Sequence, residues 1–183
     1  MICYLVRHGK DDDSVRGGWS NSPLTEVGVL QVHKLAEHLR ALNVGIDAIY
    51  SSDLPRAMQT AEILSSALQL PVYEKPEFRE TNNGLLAGMD NSIAAQRFPG
   101  LYWSSLEWEE RYPGGESPRM FFERISAAWS FFKQELKAKN HTAILVTHGG
   151  VINAIRCIEA GITYSNKANP FPIGNAEAME ISI

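Results

Sequence analysis

The sequence predicts an α/β fold: a three-layer αβα sandwich with a largely parallel central sheet and a small irregular cap. One observation favours this class. Short apolar runs alternate with longer stretches in which apolar residues recur at helical spacing, and this alternation is typical of a parallel sheet covered by helices on both faces. The chain has 183 residues, of which 44% are apolar. We therefore expect one core and a single domain over residues 1–183.

The first strand-and-helix unit occupies the N-terminal part of the chain. Residues 2–6 are continuously apolar and end in Arg-His-Gly, which predicts a buried strand. Residues 10–23 are polar and rich in Asp, Gly and Ser, so they predict a long loop. Thr25 is a typical N-cap, and apolar residues then recur at helical spacing as far as Leu42.

The second unit begins with a predicted strand over residues 48–50, which ends in a polar Ser-Ser-Asp turn. Pro55 is favoured in the first turn of a helix, and we expect this helix to reach about Leu68. Residues 70–118 are rich in Pro, Gly and Trp. They predict an irregular insertion that caps the site and contains one short helix over residues 91–97.

The C-terminal part predicts four further elements. Pro118 begins the longest helix, whose wide apolar stripe indicates core packing rather than a cofactor site. Residues 142–146 predict a buried strand that ends in Thr-His-Gly-Gly, followed by a helix over about 151–160. Residues 178–183 predict the last strand.

Composition excludes several classes of protein. A formal net charge of −4 provides no overall basic field, so we expect no nucleic-acid partner. No apolar run has the length of a membrane span and the N-terminus does not resemble a signal peptide, so we expect a cytoplasmic protein with no membrane partner. Cys3 and Cys157 lack metal-binding or redox spacing and are predicted to be reduced core residues. Composition does not predict an oligomeric state.

Two histidines follow predicted strands and precede glycines. His8 comes after the first strand and His148 comes after the strand over residues 142–146. Because ligands of open α/β sheets bind beyond the carboxyl ends of the strands, we expect the two histidines to meet there. Gly9 and Gly149 would allow the backbone to approach a ligand closely.

Cations and helix N-termini accompany these histidines. Arg7 and Arg56 carry planar guanidinium groups that suit phosphate oxygens. The helices that begin after Asp53 and after His148 would direct backbone N–H groups at an anion. The pattern therefore predicts a phosphate-binding site.

These motifs resemble those of the histidine phosphatases, the family that includes cofactor-dependent phosphoglycerate mutases. The resemblance spans nearly the whole chain in the right order, and a series of blocks is far more specific than any one of them. The blocks are Leu5-Val6-Arg7-His8-Gly9, Arg16 to Gly28, Ser51 to Ala61, Arg79-Glu80 with Gly84 and Gly88, Gly114-Gly115-Glu116-Ser117, and Val146 to Gly150.

The resemblance implies a role for each matching residue. His8 would be the nucleophile, Glu80 would supply a proton to the leaving oxygen, and Arg7, Arg56 and His148 would hold the phosphoryl group. A neutral imidazole can attack phosphorus at neutral pH and form a phosphohistidine. Because the arginines and the second histidine already stabilise phosphoryl charge, we expect no metal and no cofactor. The alternative for Glu80 is a solvated loop carboxylate.

Some positions depart from the family pattern. Lys10 and Asp11 stand where the family usually has an acidic or amide residue followed by Thr, and Leu86 and Ala87 replace its usual Trp and Glu. These departures leave the core chemistry intact and alter positions that contact substrate. Four loop residues are further candidate ligands: Ser14, Gly18, Ser20 and Asn21.

Other polar residues have simpler interpretations. The run Asp11-Asp12-Asp13 is a conceivable metal site, but three adjacent carboxylates in a loop more often form a solvated face, so we expect no metal there. The remaining histidines have no ligand spacing and are expected at the surface: His33, His38 and His141.

We therefore predict a phosphomonoester phosphatase that acts on a small-molecule phosphate ester. A phosphoglycerate mutase is the main alternative, although such mutases are longer and carry an Arg-rich stretch in the cap. Here only Arg97, Arg111 and Arg119 are scattered across that region, beside Trp103 and Trp108. An apolar cap would suit a less charged substrate.

A third alternative is a catalytically inactive phospho-ligand binder. Such a protein would be expected to lack His8, Glu80 or His148. All three are present in the sequence, which favours an enzyme.

Overall fold

The computed structural model, which describes all residues 1–183, contains one five-stranded sheet with the strand order β3-β2-β4-β1-β5. The strands are β1 (Ile2–Arg7), β2 (Ala48–Ser51), β3 (Val72–Glu74), β4 (Ala143–Thr147) and β5 (Ala178–Ser182). The helices are α1 (Glu26–Leu42), α2 (Pro55–Leu68), α3 (Asn91–Arg97), α4 (Pro118–Lys139) and α5 (Gly149–Ala160). Strands β1 to β4 pair in parallel, and β5 is antiparallel to β1.

Alternate residues of the strands face two separate cores. Cys3 and Leu5 of β1 pack into the core that contains residues of α4 and α5. Tyr4 and Val6 pack into the core that contains residues of α1 and α2. Because successive strand residues point to opposite faces, the sheet is covered on both sides. The predicted three-layer α/β class is confirmed.

Capping residues define where the main helices begin. Thr25 Oγ1 accepts a hydrogen bond from the N–H of Gly28, as expected for the N-cap of α1. Pro55 and Pro118 occupy first-turn positions of α2 and α4, as the sequence predicts. The apolar stripe of α4, including Trp129, is buried in the core. No helix of the structure combines the length and the apolar character that crossing a membrane requires.

The sheet contains a strand that the sequence analysis missed. Val72–Glu74 pairs with β2 as the edge strand, although residues 70–118 were predicted to be irregular from their start. Three residues are too few to show a period of two, and the adjacent Pro71 obscures the signal. The short helix predicted over residues 91–97 is confirmed as α3.

The boundary of α5 also differs from the prediction. The helix begins at Gly149 instead of about residue 151, with His148 as its N-cap. Two glycines in succession are poor helix formers, which is why propensity places the start too late. As a result, both glycines expose first-turn N–H groups beside the histidine.

Both cysteines are buried and free, as predicted. Burial raises the pKa of the Cys3 and Cys157 thiols. Because the thiolate is the reactive form, these thiols are core residues of low reactivity.

Candidate active site

The ends of β1 and β4 bring His8 and His148 together. The strands are adjacent and parallel, with Arg7 paired opposite Thr147. The two imidazole ring centroids lie 5.1 Å apart. His8 is 5% exposed and His148 is fully buried. The two histidines therefore meet at the carboxyl edge of the sheet, as their positions after strands predict.

Hydrogen bonding defines which nitrogen of His8 is free to react. Nδ1 lies 2.7 Å from the carbonyl oxygen of Gly9, which can only accept, so Nδ1 carries the proton. Burial, together with the positive charges of Arg56 and Arg7, lowers the pKa of His8 to about 3. The ring is therefore neutral at physiological pH, and Nε2 carries a lone pair.

His148 is oriented by a serine at the end of β2. Ser52 Oγ accepts from the N–H of Leu54 and lies 2.9 Å from His148 Nε2. When the Ser52 hydroxyl donates to Nε2, the proton of the neutral ring lies on Nδ1. Burial and the nearby Arg56 lower the pKa of His148 well below its usual value. The Nδ1 atom is buried and has no partner within the chain.

Arg56 connects the nucleophile candidate to the polar loop that precedes α1. Its Nε donates to His8 Nε2 at 3.2 Å, and the side chain is 2% exposed. Its terminal nitrogens donate to the carbonyl oxygens of Gly18 and Ser20 at 2.7 and 3.2 Å and to Ser20 Oγ at 3.3 Å. Gly18 and Ser20 thus hold the guanidinium in place.

Arg7 lies over the start of α5. A Cβ atom built on Gly149 would lie 3.6 Å from Arg7 Nε, so the Arg7 side chain passes close to the first residue of α5. Arg7 Nη1 donates to the carbonyl oxygen of Ile173 at 2.7 Å, whereas its buried Nε has no partner within the chain. One N–H of Arg7 is therefore available to an anion.

Glu80 is held against the same helix start. Its Oε2 accepts from the N–H of Gly150 at 3.1 Å and its Oε1 accepts from the N–H of Thr81 at 3.1 Å. A Cβ atom at position 150 would lie 2.6 Å from Glu80 Oε1. A Cβ atom there would displace the Glu80 carboxylate from this position, so Gly150 belongs to the site although the sequence analysis gave it no role.

An arginine of α4 holds the loop that carries Glu80. Arg124 donates to the carbonyl oxygens of Glu77, Arg79 and Glu80 at 2.8 to 3.1 Å. It also pairs with both carboxylate oxygens of Glu116 at 2.7 and 2.9 Å. Such a bidentate pair is directional, so the backbone of Glu80 has little freedom.

Asp11 is not part of a solvated face, which corrects the interpretation of the acidic run. Its Oδ2 lies 3.3 Å from Arg56 Nε, and its side chain is 20% exposed. The other two carboxylates point elsewhere, because Asp12 accepts from the N–H of Ser14 and Asp13 pairs with Lys10. The three carboxylates therefore do not converge on one point.

Two of the predicted ligands are exposed and make no hydrogen bond to either histidine. Ser14 is exposed, and its backbone pairs with Asp12 and with Asn91 at the start of α3. Asn21 is exposed and makes no hydrogen bond within the chain. Among the other histidines, His33 and His38 are exposed, as expected, and His141 is half-buried.

Gly9 is needed for a reason other than the predicted approach to a ligand. A Cβ atom at this position would lie 2.6 Å from the carbonyl oxygen of Gly28 in α1. Glycine at position 9 therefore allows the segment after β1 to pass close to α1. Its N–H donates to Thr60 Oγ1 at 3.1 Å, which ties the segment to α2.

A cavity of about 470 Å³ opens beside Glu80 and Gly150. Its wall combines aromatic rings with amide and hydroxyl groups, among them Tyr102, Trp103, Tyr112, Asn83, Ser104 and Asn166. A second cavity of about 290 Å³ adjoins it and shares the wall formed by Trp103 and Asn166. The surface that lines the two cavities is therefore mixed: more of it is apolar than polar, and amide and hydroxyl groups lie among the rings.

A cation from the polar loop lines the same cavity. The Arg16 guanidinium lies 4.2 Å from the centre of the Tyr102 ring and makes no hydrogen bond within the chain. In contrast, Arg97, Arg111 and Arg119 do not line either cavity. The cavity thus receives a cation from the polar loop that precedes α1 and none from the arginines of the cap.

Comparison with known proteins identifies the family of this site and fold. Residues 3–183 match the family model of the histidine phosphatase superfamily (branch 1). The chain belongs to that superfamily.

Relatives with different names share this fold. A Yersinia pestis protein named probable phosphoglycerate mutase GpmB is 46% identical over 164 residues, which are 83% of this chain and 71% of that protein. The solved structure of a mycobacterial glucosyl-3-phosphoglycerate phosphatase is 28% identical, with a TM-score of 0.80 and coverage of 99% of this chain and 89% of that one. The α-ribazole phosphatase from Shigella flexneri is 27% identical, with a TM-score of 0.83 and coverage of 100% and 91%.

The lowered pKa of His8 predicts that acid destabilises the fold. Between pH 6.5 and 3 the unfolded chain binds a proton at His8 that the folded chain does not, so this contribution to stability is complete above pH 6.5 and is lost as the pH falls. Lowering the pH from 6.5 to 5 should cost about 2 kcal/mol at this residue. We expect urea unfolding to show this loss for the wild type and a smaller loss for H8Q.

The matched control is H33Q, which removes an exposed histidine of α1. It should retain the wild-type difference between the two pH values. The prediction would be contradicted if H8Q lost as much stability between pH 6.5 and 5 as H33Q does.

Proposed function

We propose that this protein is a phosphomonoester phosphatase that acts on a small-molecule phosphate ester through a phosphohistidine at His8. The observation that carries the proposal is the neutral His8 imidazole, whose Nε2 lone pair faces the buried Arg56 guanidinium. A nucleophile beside a buried cation suits attack on an anionic phosphoryl group.

In the first step, His8 Nε2 attacks phosphorus while the bond from phosphorus to the ester oxygen breaks. Glu80, in its protonated form, transfers a proton to the leaving oxygen and becomes ionised. In the second step, water attacks phosphorus, Glu80 takes up a proton from it, and the P–N bond breaks. Inorganic phosphate then leaves, and the enzyme returns to its starting state.

Three groups are proposed to stabilise the phosphoryl oxygens. Arg56 is already in contact with Nε2, Arg7 has a free N–H at the start of α5, and His148 has an unpartnered Nδ1. Donors fixed by the protein before the reaction lower the cost of charge developing in the transition state. The two arginines supply the positive charge that a metal ion would otherwise supply, and the neutral His148 adds a polar contact, so we propose a metal-independent reaction.

The cavity beside Glu80 is proposed to hold the leaving group. Its aromatic rings suit a flat apolar face, and its amide and hydroxyl groups suit a substrate with several hydrogen-bonding groups. The free Arg16 guanidinium would accommodate an acceptor or a negative charge at the far end of that substrate.

A phosphoglycerate mutase remains the second candidate, favoured by the name of the Yersinia pestis relative and by the free cation of Arg16. The test is incubation with 3-phosphoglycerate and its bisphosphorylated activator, with inorganic phosphate and isomerised product measured together. We expect more phosphate than isomer. Efficient isomerisation with little phosphate release would establish the mutase.

The same assay, extended to a panel of phosphorylated metabolites, separates an enzyme from an inactive binder. Turnover of at least one ester supports the proposal, whereas phosphate binding without turnover of any ester would favour the binder. Dialysis against a strong chelator should leave the rate nearly unchanged. Complete loss of activity that a divalent ion restores would overturn the metal-independent mechanism.

A further inference from the structure

Asp11 places a carboxylate in direct contact with a cation of the proposed phosphoryl site. Its Oδ2 lies 3.3 Å from Arg56 Nε, and the same Nε lies 3.2 Å from His8 Nε2. An anion that binds Arg56 Nε beside His8 would therefore lie close to Asp11. The proposed site would then hold two anions side by side, the phosphoryl group of the substrate and the Asp11 carboxylate.

The backbone that carries Asp11 is anchored on both sides. Asp11 forms an antiparallel bridge with Leu24. The N–H of Lys10 donates to Gln31 Oε1 at 2.9 Å, and the carbonyl oxygen of Lys10 accepts from the N–H of Thr25 at 2.9 Å. The position of the carboxylate beside Arg56 is thus set by the fold and does not depend on a free loop.

The chemistry of two neighbouring anions depends on a proton. A doubly charged phosphoryl group has no proton, so its oxygens and the Asp11 carboxylate would repel each other. A singly charged phosphoryl group carries one O–H, which can donate a short, strong hydrogen bond to a carboxylate. Recognition of this kind discriminates by repulsion of the wrong form as well as by attraction of the right one.

We propose that Asp11 makes the site selective for the protonated, singly charged form of the phosphoryl group, by sharing the proton of that group. The inference rests on the proposed function, because it concerns how the same site distinguishes two charge states of its substrate.

The surrounding charges are consistent with a shared proton. Burial raises the pKa of the Asp11 carboxyl and outweighs the opposing effect of Arg56 and Arg7, while Asp12 adds a small effect in the same direction as burial. Lys10 is turned towards Asp13 at 3.0 Å. Of the other titratable groups at the site, His8 and His148 are neutral and Glu80 faces the start of α5.

The test compares two anions of the same shape. Sulfate carries no proton at pH 6, whereas much of the inorganic phosphate is singly charged there. Isothermal titration calorimetry at pH 6 should show that the wild type binds phosphate at least about tenfold more tightly than sulfate. In D11N and in D11T, which restores the residue usual in the family, sulfate should bind more tightly and the preference should fall to within about threefold.

The matched control is D13N, which removes an exposed carboxylate of the same acidic run. It should keep the wild-type preference. The wild-type kcat/KM should also decline as the pH rises from 6 to 8, because a phosphate monoester loses its second proton with a pKa of about 6. D11T should shift that decline to higher pH.

Several results would overturn the inference. One is an equal preference for phosphate over sulfate in the wild type, D11N and D11T. Another is a parallel loss of phosphate and sulfate affinity in the variants together with a lowered melting temperature, which would indicate a purely structural role for Asp11. If both variants fail to fold, the wild type decides alone: equal affinities for phosphate and sulfate would overturn the inference. Since calorimetry needs no turnover, phosphate binding without selectivity refutes this inference alone, whereas absence of any phosphate binding refutes the proposed function as well.

Discussion

Replacing His8 with alanine is expected to abolish turnover, with kcat falling by at least about 10⁴-fold, as for other nucleophiles of covalent catalysis. The expectation follows from the geometry of the ring. Its Nδ1 proton is committed to the carbonyl oxygen of Gly9, so Nε2 is the nitrogen that can form a bond to phosphorus. Rapid acid-free quenching of the wild type with a labelled substrate should capture a phosphohistidine, which H8A should lack.

The control for this experiment is H38A, which removes an exposed histidine of α1. It should retain wild-type turnover and labelling. Ordinary activity in H8A, together with no acid-labile phosphate on the wild-type protein, would show that the mechanism is wrong.

Replacing Glu80 with glutamine should slow phosphoryl transfer from an alkyl phosphate by about 10²–10⁴-fold and from a nitrophenyl phosphate far less. An alkoxide leaving group needs a proton much more than a nitrophenolate does. Glutamine keeps the size of the side chain and removes the titratable proton. Single-turnover kinetics is the appropriate measurement, because slow breakdown of the phosphohistidine would otherwise be common to both substrates.

The neighbouring E77Q is the matched control, since Glu77 is an exposed carboxylate of the same loop. It should affect neither substrate. The same fractional loss for both substrates in E80Q would exclude Glu80 as the acid of the first step.

The parts of the site that lie at strand ends could be predicted from the sequence. His8 and His148 each follow an apolar run, and the carboxyl ends of parallel strands must share one edge of the sheet. The position of Arg56 could also be predicted, because Pro55 marks the start of the helix that carries it. These positions depend on local patterns, which a single sequence displays.

The parts that depend on contacts between distant segments could not be predicted in this way. The carboxylate of Glu80 is fixed by the N–H of Gly150, and its backbone is fixed by Arg124 of α4. The sequence around Asp11 is typical of a solvated acidic loop. Only the path of the chain past α1 brings the Asp11 carboxylate to Arg56. Likewise, Arg16 reaches the cavity from a loop remote in sequence from the cap.

The contact between Glu80 and Gly150 has a mechanical consequence. The N–H that holds the carboxylate belongs to the first turn of α5, and His148 is the N-cap of that same helix. Arg124 of α4 holds the backbone of Glu80, so the Glu80 side chain links the start of α5 to α4. A displacement of α5 against α4 would therefore change the distance between Glu80 and His148, and an error of about 1 Å between groups that act together can cost on the order of 10²-fold in rate.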